Sequence, residues 1–105
     1  MVDELPIPPE VDGDERAREM IRVWLAHGTL NVSMTLGMWE DADDCDVDER
    51  DGWGELLADL MRHIANGMSQ SHGWSRSDTI ARIRRRLSEH LDDVEASVEG
   101  EYYED

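Results

Sequence analysis

The stretch Met20-Ile21-Arg22-Val23-Trp24-Leu25-Ala26-His27-Gly28-Thr29-Leu30-Asn31-Val32-Ser33-Met34-Thr35-Leu36 decides the fold, because two secondary structures compete for its first half. As a helix, Ala17, Met20, Ile21, Trp24 and Leu25 share a face; as a strand, Ile21, Val23 and Leu25 alternate with Met20, Arg22, Trp24 and Ala26. The segment that follows resolves the competition. If His27 and Gly28 form a two-residue hairpin turn, Ala26 meets Thr29, Leu25 meets Leu30, Val23 meets Val32 and Ile21 meets Met34. Each large apolar residue then faces an apolar partner, while Arg22, Trp24, Asn31, Ser33 and Thr35 make a half-polar opposite face. A slip of one residue would mix the two faces, so a single register is self-consistent.

Upstream, Pro6, Pro8 and Pro9 lie within Leu-Pro-Ile-Pro-Pro at residues 5–9, fixing φ and removing donors. The start of the chain therefore reads as an extended arm, residues 1–14, whose Leu5 and Ile7 favour packing on its own domain over display to a proline-reading partner. Downstream, residues 40–51 carry eight carboxylates in twelve positions and read as a solvated acidic loop. From Asp51 the period changes. Trp53, Leu56, Leu57, Leu60, Met61, Ile64 and Met68 recur at three and four, predicting an amphipathic helix that begins near Asp51 or Gly52 and frays from Asn66 and Gly67 to Gly73. Ser75 with Asp78 three residues on resembles a capping box, and Ile80, Ile83, Leu87, Leu91, Val94 and Val98 predict a second helix over residues 76–98. Residues 99–105 read as a frayed acidic tail, despite Tyr102 and Tyr103. The expected fold is α+β: an extended arm, then a two-stranded antiparallel hairpin packed on two amphipathic helices (ββαα), a two-layer sandwich within a single domain spanning residues 1–105.

The motifs along this order resemble one family. They are Leu-Pro-Ile-Pro-Pro at 5–9, Arg-Val-Trp at 22–24, Leu-Asn-Val-Ser-Met from Leu30, Gly-Met-Trp-Glu-Asp at 37–41, Trp-Gly at 53–54, Leu-Ala-Asp-Leu at 57–60 with Arg62 and His63, and Ala-Arg-Ile-Arg at 81–84. The family is one of short proteobacterial proteins known as a domain of unknown function, DUF5076, and the resemblance runs from Leu5 to about Leu91. It implies a shared fold without an assigned activity. The acidic loop from Ala42 to Asp51 and the acidic tail depart from the family pattern, so readings made on them are not family properties.

Composition narrows the function classes. The chain of 105 residues has 26 acidic and 10 basic side chains, a formal net charge of -16, which argues against direct binding to nucleic acid or an anionic membrane. No apolar run has the length of a membrane span, and Met-Val-Asp-Glu lacks the basic and apolar regions of a signal peptide, so a cytoplasmic location is expected. One cysteine, Cys45, excludes an internal disulfide and a multi-cysteine zinc site, and carboxylates around it make it a poor nucleophile. All ten basic residues are Arg, as a GC-rich genome or adaptation to high salt would produce, and the two causes are compatible.

Several constellations could carry chemistry. Asp44, Asp46 and Asp48, with Glu55 in the twelfth place from Asp44, form the carboxylate skeleton of a calcium loop, but Glu49 replaces the glycine of position six and the preceding element reads as strand. These four are weak candidates for a divalent cation, against the plainer reading of a solvated loop. Glu55, Asp59 and His63 stack at spacings of four, yet pairing of Asp59 with Arg62 or His63 accounts for them without a metal. Arg82, Arg84, Arg85 and Arg86 form the one basic cluster, with Asp78, Glu89 and His90 at salt-bridge spacing. No hydrolase triad, phosphate loop or zinc signature is present, and no cofactor is expected. Ligand or interface candidates are Arg22, Trp24 and Asn31 on the half-polar hairpin face, with Trp39. Trp24 there needs either the arm or a second subunit to cover it. Three functions stay open: a non-catalytic homodimeric interaction module, a small ligand-binding protein or enzyme with a pocket near Trp24, and an acidic nucleic-acid mimic. The sequence leaves a further protein partner unidentified.

Overall fold

The computed structural model describes residues 2–41, 47–93 and 102–104. The chain divides into two compact units, one formed by Met1–Leu36 with Gly100–Asp105, the other by Gly37–Glu99.

The first unit is built on the predicted hairpin. Strand β1 (Ile21–Ala26) pairs antiparallel with β2 (Thr29–Met34), with Ile21 opposite Met34, Val23 opposite Val32 and Leu25 opposite Leu30. The turn works because His27 (φ 54°) and Gly28 (φ 75°) both adopt the left-handed backbone whose twist matches the strands. Asn31 Nδ2 donates to the Thr29 carbonyl at 3.2 Å, and the Thr29 hydroxyl donates to the Ala26 carbonyl at 3.0 Å, closing the corner. At the far end Thr35 is buried, its N–H reaching the Met20 carbonyl and its hydroxyl the Glu19 carbonyl, each at 2.9 Å. Pairing therefore extends one step beyond the strands.

The tail is a strand where fraying was expected. Tyr102–Glu104 forms β3, which runs parallel to β2 with Val32 opposite Tyr102, giving the sheet order β1-β2-β3. An open strand edge is a row of unpaired donors and acceptors, and a tyrosine pair is well suited to fill it. Ahead of the hairpin the arm holds a 3-10 turn at Pro9–Val11 and two further turns, closed by Asp14 N–H to the Val11 carbonyl at 3.2 Å and Ala17 N–H to the Asp14 carbonyl at 3.1 Å, and residues 17–20 are not helical.

The second unit is helical. A four-residue helix α1 (Met38–Asp41) runs into the start of the segment expected to be an acidic loop, and it precedes α2 (Glu49–His72) and α3 (Arg76–Leu91). Helix α2 starts two to three residues earlier than expected because Asp48 is its N-cap, its carboxylate accepting the Arg50 N–H at 2.8 Å. It also runs through Asn66 and Gly67, positions read as its fraying end. An exposed helical glycine costs only about 1 kcal/mol, which the continuing stripe of buried Ala65 and half-buried Met68 offsets. The stop comes at Gly73, whose φ of 70° returns its N–H to Ser69. Ser75 caps α3 as predicted, accepting the Asp78 N–H. The described part of α3 ends at Leu91 with Asp92 as its C-cap; the predicted continuation over residues 94–98 lies outside the described residues.

Candidate functional site

On the first unit the residues singled out from sequence converge. Trp24 sits directly across from Asn31, and Arg22 across from Ser33, so they share the half-polar face. Arg22 is held by two carboxylates: Glu19 takes its Nε and Nη2, each at 3.1 Å, and Glu4 of the arm takes Nη1 at 2.9 Å. These contacts, Glu19 foremost, raise the guanidinium pKa further. The arm and β1 border an open groove of about 1260 Å³, with Leu5, Pro6 and Ile7 on one side and every residue of β1 on the other. Residues of both pleat faces line it, so it opens along the edge of the strand. The opposite, apolar face is open as well. Leu25 is 81% exposed, Val23 50% and Leu30 46%, and the first unit has no fully buried hydrophobic side chain among its described residues.

Trp39 belongs to the second unit and has a different task. Its ring meets Trp53 edge-on, centroids 5.6 Å apart, and lies so close over Gly52 that a Cβ there would overlap it. The residue that organises this corner is Glu49, which was read as part of the acidic loop. One oxygen accepts the N–H of Trp39 at 2.9 Å and of Glu40 at 3.3 Å; the other accepts the Gly37 N–H at 2.8 Å and the Trp53 indole N–H at 2.9 Å. One carboxylate thus satisfies the open donors at the start of α1 and ties them to the first turn of α2. Partial desolvation pushes the Glu49 pKa up, and the N–H donors of Gly37, Glu40, Trp53 and Trp39 outweigh it, leaving the group below its ordinary value. The missed signal was periodic: Glu49 stands four before Trp53, so the helical stripe already pointed back to it.

Of the calcium-loop candidates, Asp44 and Asp46 lie outside the described residues, as does Cys45. Asp48 grips its own neighbour, both oxygens facing the Arg50 guanidinium at 3.0 and 2.8 Å, and that contact lowers its pKa to about 2. Glu55 is exposed on α2, where with Trp39, Leu56, Asp59 and Arg62 it borders a shallow depression of about 590 Å³. Among the described residues no group of three or more potential ligands stands close enough to hold a metal. Asp59 pairs with Arg62 at 3.4 Å, and Arg85 and Arg86 share Glu89 at 3.8 and 3.4 Å. Arg82 and Arg84 make no ion pair among the described residues.

An extended arm, a hairpin with a two-residue turn and a capped helical pair define a small α+β protein. The family of DUF5076, a domain of unknown function, matches residues 4–94, and the chain belongs to it. No curated protein matches the chain. A solved structure from the photosynthetic bacterium Rhodopseudomonas palustrus CGA009, described as a "putative pyruvate dehydrogenase", is similar over 96% of this chain and 95% of that one, with a TM-score of 0.66 and 23% identity. At that identity the likeness carries the fold alone. Among the described residues no helix is long and apolar enough to cross a membrane.

Proposed function

We propose that the protein is a non-catalytic homodimeric interaction module, assembled through its hairpin. The observation that carries this reading is the placement of charge. Residues 20–39 contain no carboxylate, in a chain that holds 26 of them, and the hairpin within that span exposes Val23, Leu25 and Leu30. Two copies with a net charge of -16 each repel wherever their acidic surfaces meet. The apolar face of the hairpin, with no carboxylate on either strand, is the patch on which repulsion is least, and it is also where apolar area remains to be removed from water.

The test is sedimentation equilibrium from 0.01 M to 1 M salt, over which the Debye length falls from about 30 Å to about 3 Å. A dimer that tightens as salt rises is expected, because screening removes repulsion while apolar contact persists. Leu25→Asp is expected to weaken it at least tenfold without changing the circular dichroism of the monomer. A monomer at every salt concentration, or a dimer that dissociates as salt rises, overturns the reading.

A further inference from the structure

Strand β1 is an edge of the sheet, and the phase of its hydrogen bonds is set at both ends. The Thr35 N–H bonds the Met20 carbonyl, and Ala26 stands opposite Thr29 across a two-residue turn, so Arg22, Trp24 and Ala26 exchange their bonds with β2. Ile21, Val23 and Leu25 consequently turn their N–H and C=O groups away from β2, toward the groove. Among the described residues no backbone hydrogen bond joins the arm to β1 across that groove. The strand itself carries no carboxylate, although Asp3, Glu4, Glu10, Asp14 and Glu19 line the far side of the groove, and an edge with unpaired donors and acceptors is a template for another strand.

We infer that the occupant is β1 of a second copy, paired antiparallel about a two-fold axis through Val23. This rests on the homodimer reading and specifies how the two copies meet. The register follows from the edge itself. Centred on Val23, Val23 bonds its own counterpart, and Ile21 bonds Leu25 of the second copy and the reverse, so each outward-turned residue meets an outward-turned partner. Centring on Trp24 would set Ile21 against the turn residue His27 and leave its groups without a strand partner. Centring on Arg22 would set Leu25 against Glu19. The Val23 register alone matches apolar to apolar along one face, and on the other it sets Arg22 against Trp24 of the second copy in a non-hydrogen-bonded pair, where side chains stand closest and a guanidinium can lie on an indole. The second copy's strand enters on the groove side of β1, and the arm, which Glu4 ties to Arg22 at 2.9 Å, must shift off that edge to admit it.

The test uses the full chain. In a Cys45→Ser background, Val23→Cys places two thiols on the axis, where the Cα spacing of about 5.5 Å in a hydrogen-bonded antiparallel pair falls within disulfide range. Mild oxidation is expected to give a covalent dimer, while Val32→Cys on the neighbouring strand stays monomeric under the same conditions. Val23→Pro gives an independent readout, since it removes an N–H that β2 does not use. It is expected to weaken the dimer at least tenfold in sedimentation while the circular dichroism of the hairpin and helices persists. A wild-type dimer that neither cross-links at Val23 nor responds to Val23→Pro overturns the strand pairing and leaves the homodimer standing. Absence of a wild-type dimer overturns both.

Discussion

Trp24 and Trp39 lie in the same carboxylate-free span, yet their surroundings are opposite. Trp39, half-buried like Trp24, is held by its own unit: Trp53 against its ring, Gly52 beneath it, and its N–H bonded to Glu49. Trp24 stands on a strand whose outer edge is open and whose cross-strand partner Asn31 is turned to the hairpin corner. The difference teaches where this chain closes its own hydrogen bonds and where, among the described residues, a strand edge stays open. The corner around Glu49 is closed with respect to hydrogen bonds and packing. In the hairpin, β2 is paired on both edges, with β1 and β3, while the outer edge of β1 has no strand beside it among the described residues.

Two glycines give the sharpest way to break that contrast, because they are needed for different reasons. Gly52→Ala drives a methyl group into the Trp39 ring, and overpacking of that kind costs about 1–3 kcal/mol, the upper end applying where a fixed indole cannot yield. Gly28→Ala meets no atom within 4 Å, so its cost is purely the left-handed backbone at φ 75°, about 1–2 kcal/mol, with a weakened hairpin. Gly54→Ala, two residues from Gly52 and also open, should instead stabilise α2 by about 0.4–1 kcal/mol. Chemical denaturation of the three variants checks the order. If Gly52→Ala and Gly54→Ala behave alike, the close approach of Trp39 is not what organises the corner.

The legible parts of the chain were those in which neighbouring residues constrain one another. The hairpin register was readable because Ile21, Val23 and Leu25 each had an apolar partner in one antiparallel alignment, and a slip of one position destroyed the match. The cap at Ser75 was readable for the same local reason. Strand β3 was not, since three residues from an acidic tail pair in parallel with a strand far away in sequence, and no local pattern encodes such a partner. Glu49 was hidden by composition. Among eight carboxylates in a row of twelve, the one that gathers four N–H donors looks like the others until α1 is seen to begin beside it. The candidate site was legible to the same degree: Arg22, Trp24 and Asn31 do share a face, whereas Trp39 serves the packing of its own unit.

The smallest expected effect separates the two tryptophan environments by pH. Glu49 is held below its ordinary pKa by the donors around it, and Asp48 is lowered to about 2 by Arg50. A carboxylate whose folded pKa is depressed stabilises the fold fully above its unfolded value, and that contribution disappears as pH falls through the folded value. The corner should therefore weaken from about pH 4.5 downward as Glu49 protonates, with Asp48 following between about pH 3.8 and 2. The hairpin, with no carboxylate between residues 20 and 39, has no such group on its strands. The Trp53 indole N–H, which donates to Glu49, reports the first step directly, so its proton resonance should move across this window while that of Trp24 moves less. Glu49→Gln should flatten the movement at Trp53 and lower stability at neutral pH, because an amide offers one acceptor oxygen where the carboxylate offered two. Equal shifts at both indoles in the wild type, or an unchanged profile in Glu49→Gln, would mean that general loss of negative charge, and not this carboxylate, governs the acid response.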